Sequence, residues 1–276
     1  MKFATPNALR HSSSSRRRQI YKHVNPAPAS PDALLRQRLI LLKKNFAGVP
    51  DFHLDLPEPE AARVRTLVHR GTQRPVFKIA SLKLGRVVQC ESMLEMELAL
   101  RLDVSPRVTA FAEQPIRIHY MLDGEWRSHV PDYTVLSDER ITVIEVKFKK
   151  DVDAEVNERT VLMKAAFDAM GARYRLLTEE DVREGYAVQN ALCILRRARH
   201  DADEARVVAT LETLRAKGEM ALSAFGWSTP ESESATRIAQ LMIRGRAAVN
   251  MYLPLSDASP VRFVHRAQAH QEGASW

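Results

Sequence analysis

The run Ile141-Thr142-Val143-Ile144-Glu145-Val146-Lys147, read with Pro131-Asp132 just upstream, constrains this chain more than any other stretch. Residues 141–148 are β-branched and apolar except for Glu145 and Lys147, which is the composition of a buried strand. Alternation along a strand places Ile144, Val146 and Phe148 on one face and Glu145 with Lys147 on the other. A carboxylate and an ammonium in such a strand are costly unless something pairs with them. A structural ion pair at a strand end would meet that need. Asp132, at the head of the preceding strand 133–136, adds a second carboxylate and points elsewhere.

A turn at 137–140 brings Asp132 beside Glu145. Two carboxylates that close repel, and one is pushed up in pKa. A divalent cation removes the conflict, and hard oxygen ligands suit Mg²⁺, with Mn²⁺ as a substitute. Lys147 beside such an ion can orient or deprotonate a water. These groups outline a hydrolytic phosphodiester-cleavage site.

At 276 residues, 45% hydrophobic and 27% charged, the chain has material for a sizeable core and two ordinary domains. Cys90 and Cys193 are its only cysteines, which excludes a disulfide framework and the usual cysteine-based zinc site. No apolar run approaches the roughly 18 residues that span a membrane, and no signal-peptide core opens the sequence. A reducing, cytoplasmic setting without a membrane partner is expected. The net charge of +7 is uneven. Residues 1–50 hold ten Lys and Arg against Asp32 alone, while the remainder is near neutral. A basic N-terminal arm of this kind is either a phosphate-binding element or a solvated tail.

Residues 1–31 are polar, basic and proline-rich, and are expected to be largely disordered until bound. A short helix over 32–44 with Asp32 as its cap follows. Residues 48–60 read as a connector. Strands are expected at 64–69 and 75–84, the second leading into Gly85-Arg86-Val87-Val88. Residues 91–102 form the clearest helix of the first half, with Leu94, Leu98 and Leu102 marking its buried face. Glu91 and Glu95 fall on that same side, where acids point to a ligand role. Glu91 also suits the helix N-terminus electrostatically, which leaves Glu95 the better metal ligand. Beyond Phe111-Ala112-Glu113-Gln114-Pro115 comes a strand at 116–121, an Asp123-Gly124 turn and a returning strand at 126–130. The strand pair carrying Asp132 and Glu145 is next. A helix over 157–170 stops at Gly171, a strand follows at 174–177, and Thr178 with Asp181 reads as a capping box.

The order helix, three antiparallel strands, helix, strand is the αβββαβ core of PD-(D/E)xK, restriction-endonuclease-like α/β nucleases. The strings are more specific. Gly85-Arg86-Val87-Val88, Glu91-Ser92 with Leu94-Glu95, Glu113-Gln114-Pro115, Pro131-Asp132-Tyr133, Glu145-Val146-Lys147 and Leu177-Thr178-Glu179 with Asp181 resemble the TnsA family of transposon endonucleases over residues 80–185. The resemblance implies that Glu95, Asp132 and Glu145 bind metal and that Lys147 is the catalytic lysine. Glu91 and Gln114 stand as secondary candidates. Arg86, with Arg16, Arg17 and Arg18 of the arm, are candidate DNA contacts.

Residues 187–276 read as a second domain, with helices at 190–200, 202–216, 220–224 and 234–245 and a hairpin at 249–253 and 261–264. That is the outline of a winged helix, or else a helical unit that only packs on the nuclease. Arg196, Arg197, Arg199, Arg237, Arg244 and Arg246 are its candidate phosphate or partner contacts. The expected division is a basic arm over 1–50, a nuclease domain over 51–186 and this C-terminal domain. The resemblance implies a Mg²⁺-dependent, nucleoid-associated endonuclease subunit of a heteromeric cut-and-paste transposase. It would cut the 5′ ends of transposon DNA beside a TnsB-type transposase and a TnsC-type AAA+ ATPase. Alternatives are a stand-alone nuclease of restriction or repair, and a non-catalytic DNA-binding adaptor.

Overall fold

The computed structural model describes residues 30–58, 63–64 and 76–265. The basic arm with Arg16, Arg17 and Arg18, and most of the strand expected at 64–69, lie outside the described residues. The first helix, α1 (Pro31–Phe46), is capped by Ser30, whose Oγ accepts the Ala33 N–H at 3.2 Å. Pro31 sits in the first turn, where its missing N–H costs nothing. Asp32, expected as the cap, lies one step inside the helix and pairs with Arg86 at 3.0 Å. Strands β1 (Phe52–Asp55), β2 (Phe77–Ala80) and β3 (Val87–Cys90) follow, the last two pairing antiparallel. Their turn wraps Asp103, whose carboxylate accepts from Ser81 Oγ, Leu82 N–H and Lys83 N–H at 2.6–2.9 Å.

Asp103 belongs to α2 (Met93–Val104). Next come β4 (Val108–Glu113), β5 (Arg117–Leu122), β6 (Glu125–His129), β7 (Tyr133–Ser137) and β8 (Arg140–Val146). Helix α3 (Ala154–Ala169), strand β9 (Arg173–Leu177) and the short α4 (Glu179–Val182), closed by the expected Thr178–Asp181 capping box, complete this part. Four strands form the central sheet in the order β4-β7-β8-β9, antiparallel except for the parallel β8–β9 pair. The hairpin β5–β6 does not join it. That hairpin turns at Asp123-Gly124, both at positive φ, and pairs with β1 in a separate three-stranded sheet. It is an excursion between two neighbouring strands, and the strand beside β7 is β4, which carries the Glu113-Gln114 string.

The sheet is buried on both faces, so its strands read as continuous apolar runs. On one face Leu136, Ile141 and Val143 pack with α1 (Leu35, Leu39, Phe46) and α3 (Met163, Phe167). On the other, Tyr133, Val135, Ile144 and Val146 pack with Leu94, Leu98 and Leu102 of α2. Helix α1 thus packs on the central sheet, and the arm boundary expected at residue 50 falls inside a packed unit.

The C-terminal part contains α5 (Ala187–Ala198), α6 (Glu204–Lys217), β10 (Glu219–Ala221), α7 (Glu233–Ile243), β11 (Ala247–Val249) and β12 (Pro260–Phe263). Its strands make a three-stranded antiparallel sheet, β10-β12-β11. Residues 219–221 are therefore a strand, followed by a 3₁₀ turn at Leu222–Phe225, where a helix was expected. Leu195, Ile238, Leu241 and Val261 share one hydrophobic cluster with the α2 leucines. The ammonium of Lys83 donates to the carbonyls of Ser105, Val108 and Ile243. The boundary expected at 187 crosses this continuous core. Gly185, at φ +56° between α4 and α5, lies so close to the Tyr252 backbone that a Cβ would collide with its carbonyl. Gly185→Ala combines that clash with left-handed strain of about 1–3 kcal/mol. It will lower the melting temperature of the whole chain in one transition; loss confined to a separate late or early transition would mean that the two parts unfold independently.

Candidate active site

Strand register builds the site. Tyr133 faces Ile144 across the β7–β8 ladder, so Asp132, one residue earlier, falls opposite Glu145, one residue later. Asp132 Oδ2 accepts the Val146 N–H at 2.7 Å, which fixes its carboxylate against β8. Glu145 is 6% exposed. Its Oε1 faces Lys147 Nζ at 3.4 Å and an Arg159 nitrogen at 3.9 Å, and its Oε2 faces His129 Nε2 at 3.2 Å. The His129 contact has the distance but not the angle of a good hydrogen bond, so the buried Oε2 is left without a hydrogen-bond donor.

Helix α2 brings the third carboxylate. Ser92, the N-cap, accepts the Glu95 N–H at 3.1 Å, and Glu95 Oε2 reaches back to the Glu91 N–H at 2.8 Å. This is the reciprocal logic of a capping box, displaced by one residue. Glu91 lies before the helix rather than on its face, and Glu95 serves the helix N-terminus. Glu91 instead accepts from Gln114 Nε2 at 2.9 Å, so the two secondary candidates are joined to each other. Gln114 has φ +47°, and its Oε1 is buried without a partner. Its N–H donates to the Asp132 carbonyl at 2.9 Å, tying the end of β4 to the head of β7.

The electrostatics are lopsided. Burial first, then the charges of Glu145 and Glu95, push the Asp132 carboxyl well above the usual range. Burial also raises Glu95, and Glu91 and Glu145 add to that. Burial pushes Glu145 the same way, but His129, Lys147 and Arg159 outweigh it and hold this carboxyl below its ordinary value. Among the described residues no three His, Cys, Asp or Glu side chains converge tightly enough to enclose a metal ion by themselves. Asp132 and Glu145 nevertheless fit a hard divalent cation: they are paired carboxylates in mutual conflict, and one buried oxygen lacks a donor. Glu95 can add an oxygen from the end of α2.

Arg86 is placed differently from a free phosphate contact. Its guanidinium is bound to Asp32 at 3.0 Å and to the buried Glu113 at 2.8 Å. In the C-terminal part, Arg237 and Arg244 pair with Glu233 and Glu204, and Arg197 lies over the Trp227 ring with its centroid 4.3 Å away. The residues that sequence reasoning passed over are His129, Arg159 and Tyr174. They come from β6, α3 and β9, and no local pattern links them to Glu145.

Residues 105–179 match the family model described as TnsA-like endonuclease N terminal. That stretch is similar to the N-terminal domain of TnsA-like endonucleases. The match spans β4 to the end of β9, and so contains Asp132, Glu145 and Lys147, but it begins after α2 and leaves out Glu95. No curated protein matches significantly. Among solved structures, protein VC1899 from Vibrio cholerae is similar at 15% identity and a TM-score of 0.23, over 37% of this chain and 28% of that one. No helix among the described residues is long and apolar enough to cross a membrane.

The raised Asp132 carboxyl carries a stability consequence. Above its folded-state pKa, ionised Asp132 destabilises the fold, and the penalty is relieved as pH falls through that value toward the ordinary carboxylate range. Asp132→Asn removes the charge and keeps an oxygen for the Val146 N–H. In chelator at neutral pH the variant will melt above the wild type, and the gap will narrow as pH is lowered. Thermal melts across pH check this; a variant less stable at neutral pH would show that Asp132 is a structural ion.

Proposed function

We propose that the chain is a Mg²⁺-dependent DNA endonuclease of a cut-and-paste transposition system, hydrolysing phosphodiester bonds at the 5′ ends of the element. The observation that carries this is the Asp132–Glu145–Lys147 arrangement at one end of the sheet, inside the segment that matches the TnsA-like endonuclease model. The order α2, β4, β7, β8, α3, β9 supports a PD-(D/E)xK core with the β5–β6 hairpin inserted. Asp132 and Glu145 would hold the cation with Glu95 as a further ligand. When bound, Mg²⁺, or Mn²⁺ in its place, supplies positive charge and Lewis acidity toward a scissile phosphate. Lys147 Nζ, anchored by Glu145 Oε1, is the group that would orient the attacking water and take or relay its proton.

A TnsB-type transposase for the 3′ ends and a TnsC-type AAA+ ATPase are the proposed partners. The order α6, β10, 3₁₀ turn, α7, β11, β12 supports a winged-helix-like unit. Its helix in the base-reading position, α7, buries Ala235, Ile238, Ala239, Leu241 and Met242 and pairs its Arg237, so it presents little to a DNA groove. That favours recognition of the element ends by the transposase and disfavours a stand-alone, sequence-reading nuclease.

Lys147→Ala and Glu145→Gln will each lower cleavage of DNA carrying the element ends, assayed with the partner transposase, by about 10²–10⁴-fold with the fold intact. Cleavage that survives in both variants would sink the proposal. Glu95→Gln keeps an oxygen for the Glu91 N–H, so stability holds while most cleavage is lost, with partial recovery at raised Mg²⁺. Glu91→Gln alters only the contact to Gln114 and will cost much less. Cleavage by the two purified variants decides between these acids, and equal loss would show that Glu91 is also a ligand.

A further inference from the structure

We infer that His129 is a positioning residue that locks Glu145 in its metal-binding state, which makes the inserted β5–β6 hairpin part of the catalytic centre. The inference rests on the nuclease reading above and names a residue outside its acidic set and lysine.

The argument starts from where donors have been placed. Asp132 and Glu145 are cross-strand neighbours, yet the donors gather on Glu145 alone. Lys147 and Arg159 face its Oε1, and His129 faces its Oε2. Two of these three come from outside the β7–β8 pair that creates the conflict. Arg159 is carried by α3, and His129 is the last residue of β6, a strand that belongs to a different sheet. Strand register therefore does not force His129 onto Glu145. The ring is held there by packing: its side chain is 10% exposed, Nε2 lies 3.1 Å from the Tyr174 hydroxyl, and the two rings meet edge to face at 6.4 Å. Tyr174 is itself fixed against Phe167 of α3 at 5.9 Å. A histidine serving only the core would bury its carbon edge. This one, hydrogen-bonded to the Tyr174 hydroxyl, holds the same ring nitrogen at ion-pair distance, 3.2 Å, from a buried carboxylate oxygen that has no hydrogen-bond donor.

The chemistry follows from that placement. A buried carboxylate between repelling neighbours rotates away unless its oxygens are held. With His129 facing one oxygen and Lys147 and Arg159 facing the other, Glu145 is held in one orientation beside Asp132. Groups that orient metal-binding carboxylates in this way typically change metal affinity or activity by about 10–100-fold when removed.

The test uses the full chain and Mn²⁺ alone, with binding followed by electron paramagnetic resonance and stability by thermal melts. His129→Phe keeps the ring volume and removes the nitrogen; it will weaken Mn²⁺ binding by about 10–100-fold. His129→Gln places an amide nitrogen near the position of Nε2 and will recover most of the affinity. Tyr174→Phe removes the anchoring hydroxyl without changing the packing, and will weaken binding in the same direction by less, which keeps the idea testable if His129→Phe folds poorly. A lower melting temperature with unchanged Mn²⁺ affinity in His129→Phe and Tyr174→Phe would make the histidine structural and overturn the inference. The nuclease reading is judged separately, by Asp132→Asn. If wild type binds Mn²⁺ and Asp132→Asn does not, that reading stands whatever His129 does; if wild type binds none, both fall together.

Discussion

The opposition of Asp132 and Glu145 across the β7–β8 ladder is the constraint on which the rest of this structure depends. Cross-strand neighbours of like charge are unfavourable in any sheet, and here Glu145 is buried and Asp132 half-buried at the end of one. A strand pair selected for stability alone would carry apolar or hydrogen-bonding side chains at those positions. The surroundings do not cancel the conflict. They polarise it, lowering one carboxyl and raising the other. Asp103 and Lys83 show the contrasting case, in which buried charge is met by several hydrogen bonds.

The elements that manage this conflict are spread along the chain. Helix α2 contributes Glu95 through a displaced capping box, so one side chain both closes a helix end and stands beside the site. Strand β4 contributes Gln114, whose left-handed backbone and unpartnered Oε1 mark a turn held in place by its neighbours. The β5–β6 excursion contributes His129. Behind these, the apolar cluster running from the β3 strand through α2 to α5 and α7 gives α2 a rigid support on its far side. The C-terminal part thus packs against α2 as well as following it in the chain.

Much of this was legible in the sequence, because the relevant signals are local. The β-branched run with two charges, the Asp123-Gly124 turn, the leucines of α2 and the Thr178–Asp181 capping box each depend on residues a few positions apart. Turn length sets hairpin register, so the approach of Asp132 to Glu145 could be read from spacing. What failed to read correctly was pairing at longer range. Strands at 116–121 and 126–130 have the pattern of sheet strands, and nothing in that pattern says which sheet they join. The short 219–221 strand looked helical because its pairing partner, β12, lies some forty residues away.

The sequence by itself determined the carboxylate pair, the lysine beside it and the helices and strands that carry them, since these follow from periodicity, turn chemistry and the cost of burying charge. Only the tertiary structure decided that α1 covers one face of the central sheet while the C-terminal helices join the α2 cluster on the other, that Arg86 is committed to Asp32 and Glu113, and that His129, held by Tyr174, and Arg159 face Glu145. The reason is physical. Hydrophobic burial is non-directional and says only that a face must be covered. Which distant element covers it, and which polar side chains arrive with that element, is settled when the layers close on each other.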